Sequence, residues 1–98
     1  MKPTNYTEIF KLKGLLEKAN TSFEFFDRGV EFRGKEIFEN LHEYWQIKIH
    51  SGGKWYSIIQ FFGTFGSLEI MWPNGEVERY KTADSLFAEL CERGVCVR

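Results

Sequence analysis

An alternating run of residues near the middle of the chain constrains the fold more than any other feature. Over residues 44–50, apolar and polar side chains alternate, which places every second residue on the same face of a strand. Residues 51–54 (Ser-Gly-Gly-Lys) are typical of a tight turn, and residues 55–62 form a mostly apolar second strand. The sequence therefore predicts an antiparallel hairpin, whose first strand buries Trp45, Ile47 and Ile49.

Two amphipathic helices are predicted, one on each side of the strand-rich region. The first ends near Asn20, and its apolar stripe consists of Ile9, Phe10, Leu12, Leu15, Leu16 and Ala19. Gly14 costs about 1 kcal/mol relative to alanine in a helix, which predicts close packing against another element at that point. The second helix covers about residues 83–92, with Thr82 or Asp84 as its N-cap, and ends at Gly94.

The segment between the first helix and the central hairpin predicts a further pair of strands. Residues 22–26 and residues 30–33 are short apolar runs, and Asp27-Arg28-Gly29 between them favours a bulged three-residue turn. Residues 34–43 fit either one helical turn or an irregular loop that tucks aromatic side chains inward.

The second half of the chain predicts another hairpin at the edge of the sheet. Residues 68–72 form a strand, Pro73-Asn74-Gly75 turns the chain, and residues 76–81 carry alternating charges that suit an exposed edge strand. We therefore predict one α+β domain over residues 1–98. Its antiparallel sheet of four to six strands packs against an N-terminal and a C-terminal helix on one face.

Composition excludes several classes of protein. Hydrophobic residues make up 43% of the chain and aromatic residues 17%, which is enough apolar surface to exclude a disordered chain. No apolar run approaches the length of a transmembrane helix, and the charged N-terminal segment is not typical of a secretory signal peptide. The net charge is −1, from 13 basic and 14 acidic residues, so the basic excess of a duplex-binding domain is missing.

Metal and cofactor chemistry have little support in the sequence. The two cysteines, Cys91 and Cys96, and the two histidines, His42 and His50, do not have a recognised metal-ligand spacing. A helix cysteine and a tail thiol in a reducing compartment are favoured over a structural disulfide. Residues 51–54 lack the spacing of a phosphate-binding loop, so they are interpreted as a hairpin turn and no cofactor is expected.

Three pieces of the chain carry a resemblance to known proteins. They are residues 44–47 (Tyr-Trp-Gln-Ile), residues 62–71, which join a Gly-Thr-Phe-Gly turn to a Leu-Glu-Ile-Met strand, and residues 82–87, a Thr-Ala-acidic helix start. This pattern resembles a group of small uncharacterised proteins encoded by phages and prophages of Gram-positive bacteria. The resemblance implies a cytoplasmic phage accessory protein in the host cell, and it brings no enzymatic activity or site residues with it.

No residue constellation in the sequence meets the requirements of catalysis. A nucleophile needs a base within hydrogen-bond reach, whereas the serines lie at ordinary strand, turn and cap positions. His50 could pair with Glu69 across the sheet, but a solvated histidine at a strand end is the favoured interpretation. We therefore expect a protein without enzymatic activity.

The number of aromatic residues is the most unusual feature of this chain. Adjacent aromatic pairs such as Phe61-Phe62 must point to opposite faces of a sheet, and the helices cover only one face. The remainder is exposed, is buried by a partner, or is covered by a loop from residues 34–43. Without a basic excess, we favour protein contact over base stacking. The residues expected to bind are Trp55, Tyr56, Phe65, Trp72, Arg79 and Lys81.

Two functional hypotheses follow from these aromatics. The first is a protein that binds a host protein, for example as an inhibitor of host defence, or a second copy of itself. The alternative is a small-nucleotide sponge: Trp55, Tyr56, Phe65 and Trp72 would stack on a base, and Arg79, Lys81 or Lys48 would meet phosphate. Trp72 beside the turn at residues 73–75 is either an interface anchor, with a polar rim from residues 76–81, or a core residue that fills the notch at Gly14.

Overall fold

The computed structural model describes residues 7–27, 44–61 and 66–96, which form an α+β fold. The elements in chain order are α1 (Thr7–Lys18), β1 (Glu24–Asp27), β2 (Tyr44–Ser51), β3 (Lys54–Phe61), β4 (Leu68–Met71), β5 (Val77–Lys81) and α2 (Ala83–Glu92). The strands pair antiparallel in a single sheet of order β1-β2-β3-β4-β5. This confirms the predicted fold class, with its N-terminal and C-terminal helices.

The central hairpin forms as predicted from its alternating pattern and its glycines. Strands β2 and β3 pair along their whole length, from Tyr44 opposite Phe61 to Ser51 opposite Lys54. Gly52 and Gly53 both have positive φ, 60° and 75°, as both central residues of a two-residue type I′ turn require. The turn thereby fixes the register that places Ile47 and Ile49 on the buried face.

Strand β1 is the other neighbour of the central hairpin. It pairs antiparallel with β2, with Phe25 opposite Ile47. Residues 28–43 and 62–65 lie outside the described residues. They include the strand predicted over residues 30–33, its turn at Arg28-Gly29 and the ambiguous segment over residues 34–43.

The β4–β5 hairpin also agrees with its prediction. The backbone N–H of Trp72 donates to the carbonyl of Glu76 at 2.8 Å, and the N–H of Gly75 donates to the carbonyl of Trp72 at 2.9 Å. Strand β5 lies at the edge of the sheet of described strands, and its pairing with β4 contains a register shift between Leu68 and Ile70.

Both helices pack on one face of the sheet, which we call the helix-covered face. Ile47, Ile58 and Ile70 lie opposite one another on β2, β3 and β4 and are fully buried there. One hydrophobic cluster joins these strands to the helices. Its helical members are Ile9, Leu12, Leu16, Ala83, Leu86, Phe87 and Leu90. The opposite face is not covered by either described helix, and we call it the helix-free face.

Side chains from elsewhere in the fold satisfy the first turns of both helices. In α1, the N–H of Ile9 donates to Oε1 of the fully buried Gln60 on β3, at 2.9 Å. Oε1 of Glu8 accepts from the N–H of Ala83 at 2.7 Å, and Thr82 and Ser85 form the capping box of α2. These bonds pair donors that a helix start otherwise leaves unsatisfied, and they fix the two helices to the sheet and to each other.

The expectation for Gly14 is wrong. A Cβ atom built at Gly14 would meet no heavy atom of the described residues within 4 Å, so none of the described elements packs closely against this part of α1. No large side chain of these elements fills a notch at Gly14. The cost of this glycine in helix propensity is not compensated by a close approach among the described residues.

Candidate binding surface

The six residues predicted to bind do not converge on one site. Trp55 and Tyr56 are neighbours on β3, and because successive residues of a strand point to opposite faces, their rings lie on different sides of the sheet. Trp55 and Arg79 lie on the helix-free face. Tyr56, Trp72 and Lys81 lie on the side of the helices, where they contact core or helix residues. Phe65 lies outside the described residues.

Trp72 is a core residue, so its interpretation as an exposed interface anchor is wrong. Only 3% of its surface is exposed. Its indole N–H donates to Oε1 of Glu78 at 2.7 Å, and the ring of Tyr56 meets it edge-on at a centroid distance of 6.0 Å. The guanidinium carbon of Arg93 lies 3.8 Å above the ring centroid. These contacts enclose the indole at the end of α2, and not against Gly14 as the competing interpretation had it.

Two of the three predicted phosphate ligands of the nucleotide hypothesis, Lys81 and Arg79, are engaged in ion pairs on different faces. Lys81 Nζ lies 3.3 Å from a carboxylate oxygen of Glu89 on α2 and 3.8 Å from Glu78. Arg79 Nε lies 3.3 Å from Oε2 of Glu69 on the helix-free face. The two cations therefore cannot hold one phosphate group beside Trp55.

The helix-free face carries an exposed apolar patch at the end nearest the two hairpin turns. It consists of Trp55, Met71 and Val77, which are 51%, 48% and 48% exposed. Met71 and Val77 are direct cross-strand partners, and Met71 lies opposite Ser57, two residues along β3 from Trp55. Diagonal neighbours at this spacing are within reach of long side chains, so the three residues form one surface, which we call the patch.

Towards its other end, the described part of the helix-free face is less accessible to solvent. Gln46 is 9% exposed, and its side-chain amide donates to Oγ of Ser57 at 2.8 Å. The side chain of Glu69 is only 14% exposed, and its Oε2 is buried with no hydrogen bond from any described residue, although Arg79 lies beside it. Among the described residues of this face, the exposed large apolar side chains are therefore those of the patch.

Trp55 also borders an open cavity at the rim of the sheet. Its ring stacks on His50, with centroids 4.5 Å apart and planes within 11° of parallel. Lys48 Nζ lies 5.8 Å from the centroid of the Trp55 ring and 5.9 Å from that of Phe26, in range for cation–π attraction to both rings. The cavity measures about 190 Å³ and is lined by Ser22, Phe23, Glu24, Lys48, His50 and Trp55.

The pairing of His50 with Glu69 that the sequence suggested is not present. His50 lies opposite Trp55, and Glu69 lies opposite Ile59, four residues further along β3 and about 13 Å away along the strand. Among the described residues there is also no group of three or more histidine, cysteine or acidic side chains that could hold a metal ion.

Sequence reasoning missed half-exposed apolar residues on both sides of the sheet. Side chains alternate along β4, so Met71 points away from the face on which Ile70 is buried. This alternation could have identified Met71 as an exposed residue. Phe10 on α1 is 47% exposed and forms an aromatic cluster with Phe25 and Trp45, at centroid distances of 5.4 and 5.0 Å. Its place in the apolar stripe of α1 gave no indication of exposure.

Comparison with family models, with curated proteins and with solved structures finds no match for this chain. Neither described helix has the length and apolar character to cross a membrane.

Proposed function

We propose that this protein is a non-enzymatic binding protein, and that it contacts a protein partner through the patch on its helix-free face. The observation that carries the proposal is the grouping of Trp55, Met71 and Val77, each about half exposed, on neighbouring strands of one face. Burying the exposed halves of these side chains would contribute about 3 kcal/mol to association. Tryptophan and methionine are also enriched at the centres of protein interfaces.

The charges around the patch support a protein partner over a duplex nucleic acid. Lys48 and Arg79 are accompanied by Glu24, Glu69 and the exposed Glu76, so both signs surround the apolar centre. A polar rim of mixed sign around an apolar centre is the usual anatomy of a specific protein interface. Binding to a duplex depends instead on a continuous basic surface, which this arrangement does not provide.

The partner that we propose is a cytoplasmic protein of a bacterial host, or a second copy of this chain. The resemblance to phage-encoded proteins supports a host protein, because accessory proteins of phages act inside the host cell. Self-association is the alternative form of the same proposal, because the patch of one protomer can also pack against the same patch of a second protomer.

The experiment compares two surface variants that remove similar apolar area from different places. In the first, Met71→Thr and Val77→Thr reduce the patch. In the matched control, Phe10→Ser removes an equally exposed ring from the α1 side of the molecule. Sedimentation measures self-association, and crosslinking mass spectrometry in host lysate maps which residues face any partner. We expect the patch variant to weaken association by about tenfold or more, which corresponds to 1.4 kcal/mol, and the control to leave it nearly unchanged.

Two outcomes would contradict this placement. In one, the wild-type chain is monomeric and crosslinks to no protein through residues of β3, β4 or β5. In the other, association is lost in the Phe10 variant and retained in the patch variant, which would place the binding surface at the aromatic cluster of α1 and β1.

A second candidate function is the binding of a small nucleotide at the cavity beside Trp55. It is supported by the half-exposed indole stacked on His50, and by Lys48 between the rings of Trp55 and Phe26. A base would stack on Trp55, and Lys48 would attract its phosphate. Tyr56, Trp72 and Lys81 have no part in this form of the hypothesis, because they lie on the side of the helices.

Thermal-shift titration separates this candidate from protein binding. A nucleotide or cyclic dinucleotide that binds here raises the melting temperature of the wild-type chain and not that of a Trp55→Ala variant. The absence of any shift at millimolar ligand would count against the nucleotide candidate and leave the protein-binding proposal in place.

A further inference from the structure

The two cysteines lie together at the end of α2. Cys91 belongs to the last turn of the helix, and Cys96 follows five residues later. The chain reverses between them: the N–H of Gly94 donates to the carbonyl of Cys91 at 3.1 Å, and the N–H of Val95 donates to that of Leu90 at 2.9 Å. This reversal brings the two sulfur atoms to 3.5 Å, where the thiol of one cysteine interacts with the sulfur of the other.

The two thiols differ in their access to solvent. Cys91 is partly exposed, whereas Cys96 is 4% exposed and belongs to the hydrophobic core. They are not joined in a disulfide, whose sulfur atoms would be about 2.05 Å apart. A movement of about 1.5 Å would therefore join them, which side-chain rotation and a small shift of the segment after Gly94 can supply. One thiol can be reached by an oxidant, and the other is already placed to trap the product.

We propose that Cys91 and Cys96 form a modification site, which closes to an intramolecular disulfide under oxidising conditions and reopens in a reducing compartment. With a peroxide as oxidant, the Cys91 thiol is first converted to a sulfenic acid, and the peroxide is reduced and releases one water molecule from hydrogen peroxide. The Cys96 sulfur then attacks the Cys91 sulfur. The S–S bond forms, the sulfenic S–O bond breaks, and the hydroxyl leaves as water with the proton of the Cys96 thiol.

Closing this bond ties the segment after α2 to the last turn of the helix. Val95 and Cys96 line an open cavity of about 270 Å³, together with residues 19–22 after α1 and residues 49–51 of β2. The disulfide would fix one wall of this cavity. Because the crosslink restricts the unfolded chain, we expect the native fold to favour oxidation and the oxidised protein to melt at a temperature about 5 °C higher.

The test uses the full chain in glutathione redox buffers, with peroxide treatment as a second route. We expect a mass loss of two hydrogen atoms, simultaneous loss of both thiols as measured by maleimide labelling after unfolding, a monomeric product, and full reversal by dithiothreitol. The equilibrium constant for oxidation should be about tenfold greater in the native chain than in the chain unfolded by urea. An equal or smaller constant in the native chain would overturn the proposal, as would persistence of both thiols or oxidation of Cys91 beyond the sulfenic acid without crosslinking.

Two variants show whether the pair acts as a unit. Cys96→Ala leaves Cys91 without its resolving partner, so peroxide should yield a sulfenic acid at Cys91 that a dimedone probe captures. Cys91→Ser should leave Cys96 unreactive towards maleimide until the protein is unfolded, because that thiol is buried. Circular dichroism confirms that each variant is folded. A wild-type chain captured by dimedone as readily as Cys96→Ala would overturn the proposal, because Cys96 would then not trap the intermediate.

Discussion

The two faces of one sheet are used differently, although the same strands build both. On the helix-covered face, Ile47, Ile58 and Ile70 lie opposite one another and are fully buried beneath the helices. Met71 follows Ile70 on β4 and therefore points to the helix-free face. Met71 and its cross-strand partner Val77 on β5 are each about half exposed there. Alternate positions of a strand are therefore under separate constraints: one set determines the fold, and the other is available for binding.

Polar side chains show the same contrast. Gln60 is fully buried on the helix-covered face, where it accepts a hydrogen bond from the first turn of α1 and joins that helix to the sheet. Gln46 is its counterpart on the helix-free face, where its side chain donates across the sheet to Ser57 of the neighbouring strand. The bond of Gln60 thus joins a helix to the sheet, whereas the bond between Gln46 and Ser57 joins two strands of the sheet.

The largest expected change in stability distinguishes two tryptophans that lie on opposite faces of the sheet. Trp72→Ala removes a ring that is 3% exposed, together with its hydrogen bond to Glu78 and its contact with Arg93. Loss of a buried aromatic side chain costs about 3–5 kcal/mol, so we expect the melting temperature to fall by more than about 10 °C. Trp55→Ala removes a ring that is half exposed, and the melting temperature should fall by less than about 5 °C.

Thermal denaturation followed by circular dichroism measures both variants against the wild type. Equal decreases in melting temperature for the two variants would contradict the claim that the helix-covered face contributes more to stability than the helix-free face. It would be reversed if Trp55→Ala were the more destabilising of the two.

The second prediction sharpens the contrast between the glutamines. Gln60→Leu preserves most of the side-chain volume but leaves the N–H of Ile9 without its acceptor in the core. An unsatisfied buried donor costs about 1–3 kcal/mol, so we expect a melting temperature about 10 °C lower. Gln46→Leu should cost less than half as much, since Ser57 is only partly buried and can turn towards water. Equal losses in urea titrations of the two variants would show that Gln60 does not hold α1 in place.

The sequence predicted those parts of the fold that local chemistry determines. The two glycines at residues 52 and 53 set the β2–β3 turn, the alternation in β2 set its buried face, and Thr82 with Ser85 set the start of α2. Each of these signals lies within a few residues of the structure it determines. No distant contact is needed to interpret them.

The rest depends on contacts between residues far apart in the chain, which a single sequence does not reveal. Gln60 lies 51 residues from Ile9, and nothing in the spacing around it marks it as the partner of a helix start. The sequence allows Trp72 either at an exposed turn or in the core, and only its contacts with Tyr56 and Arg93 decide between the two. The predicted binding residues were separated by strand alternation, a rule that applies only once the strand boundaries are fixed.

The smallest expected effect concerns the ion pair on the outer side of the helix layer. Lys11 Nζ donates to Oδ2 of Asp84 at 2.7 Å, which joins α1 to α2 at the surface. The hydrogen bond to Asp84 and its negative charge raise the pKa of Lys11 above its ordinary value of 10.5, and the charge of Glu8 adds to them. Because the folded-state pKa is the higher one, the pair stabilises the fold below the unfolded-state pKa, and this contribution is lost as the pH rises through the folded-state value.

A double-mutant cycle of Lys11→Met and Asp84→Asn isolates this contribution from the other groups that titrate at high pH. The coupling in the free energy of unfolding should be favourable but small near pH 8, should shrink in about 1 M salt, and should disappear as the pH rises through the raised pKa of Lys11. It should remain well below the cost of Gln60→Leu, because both side chains are exposed to solvent. A coupling as large as the Gln60 effect, or one that does not fall as Lys11 loses its proton at high pH, would mean that surface charge and not the buried amide holds the helices on their face of the sheet.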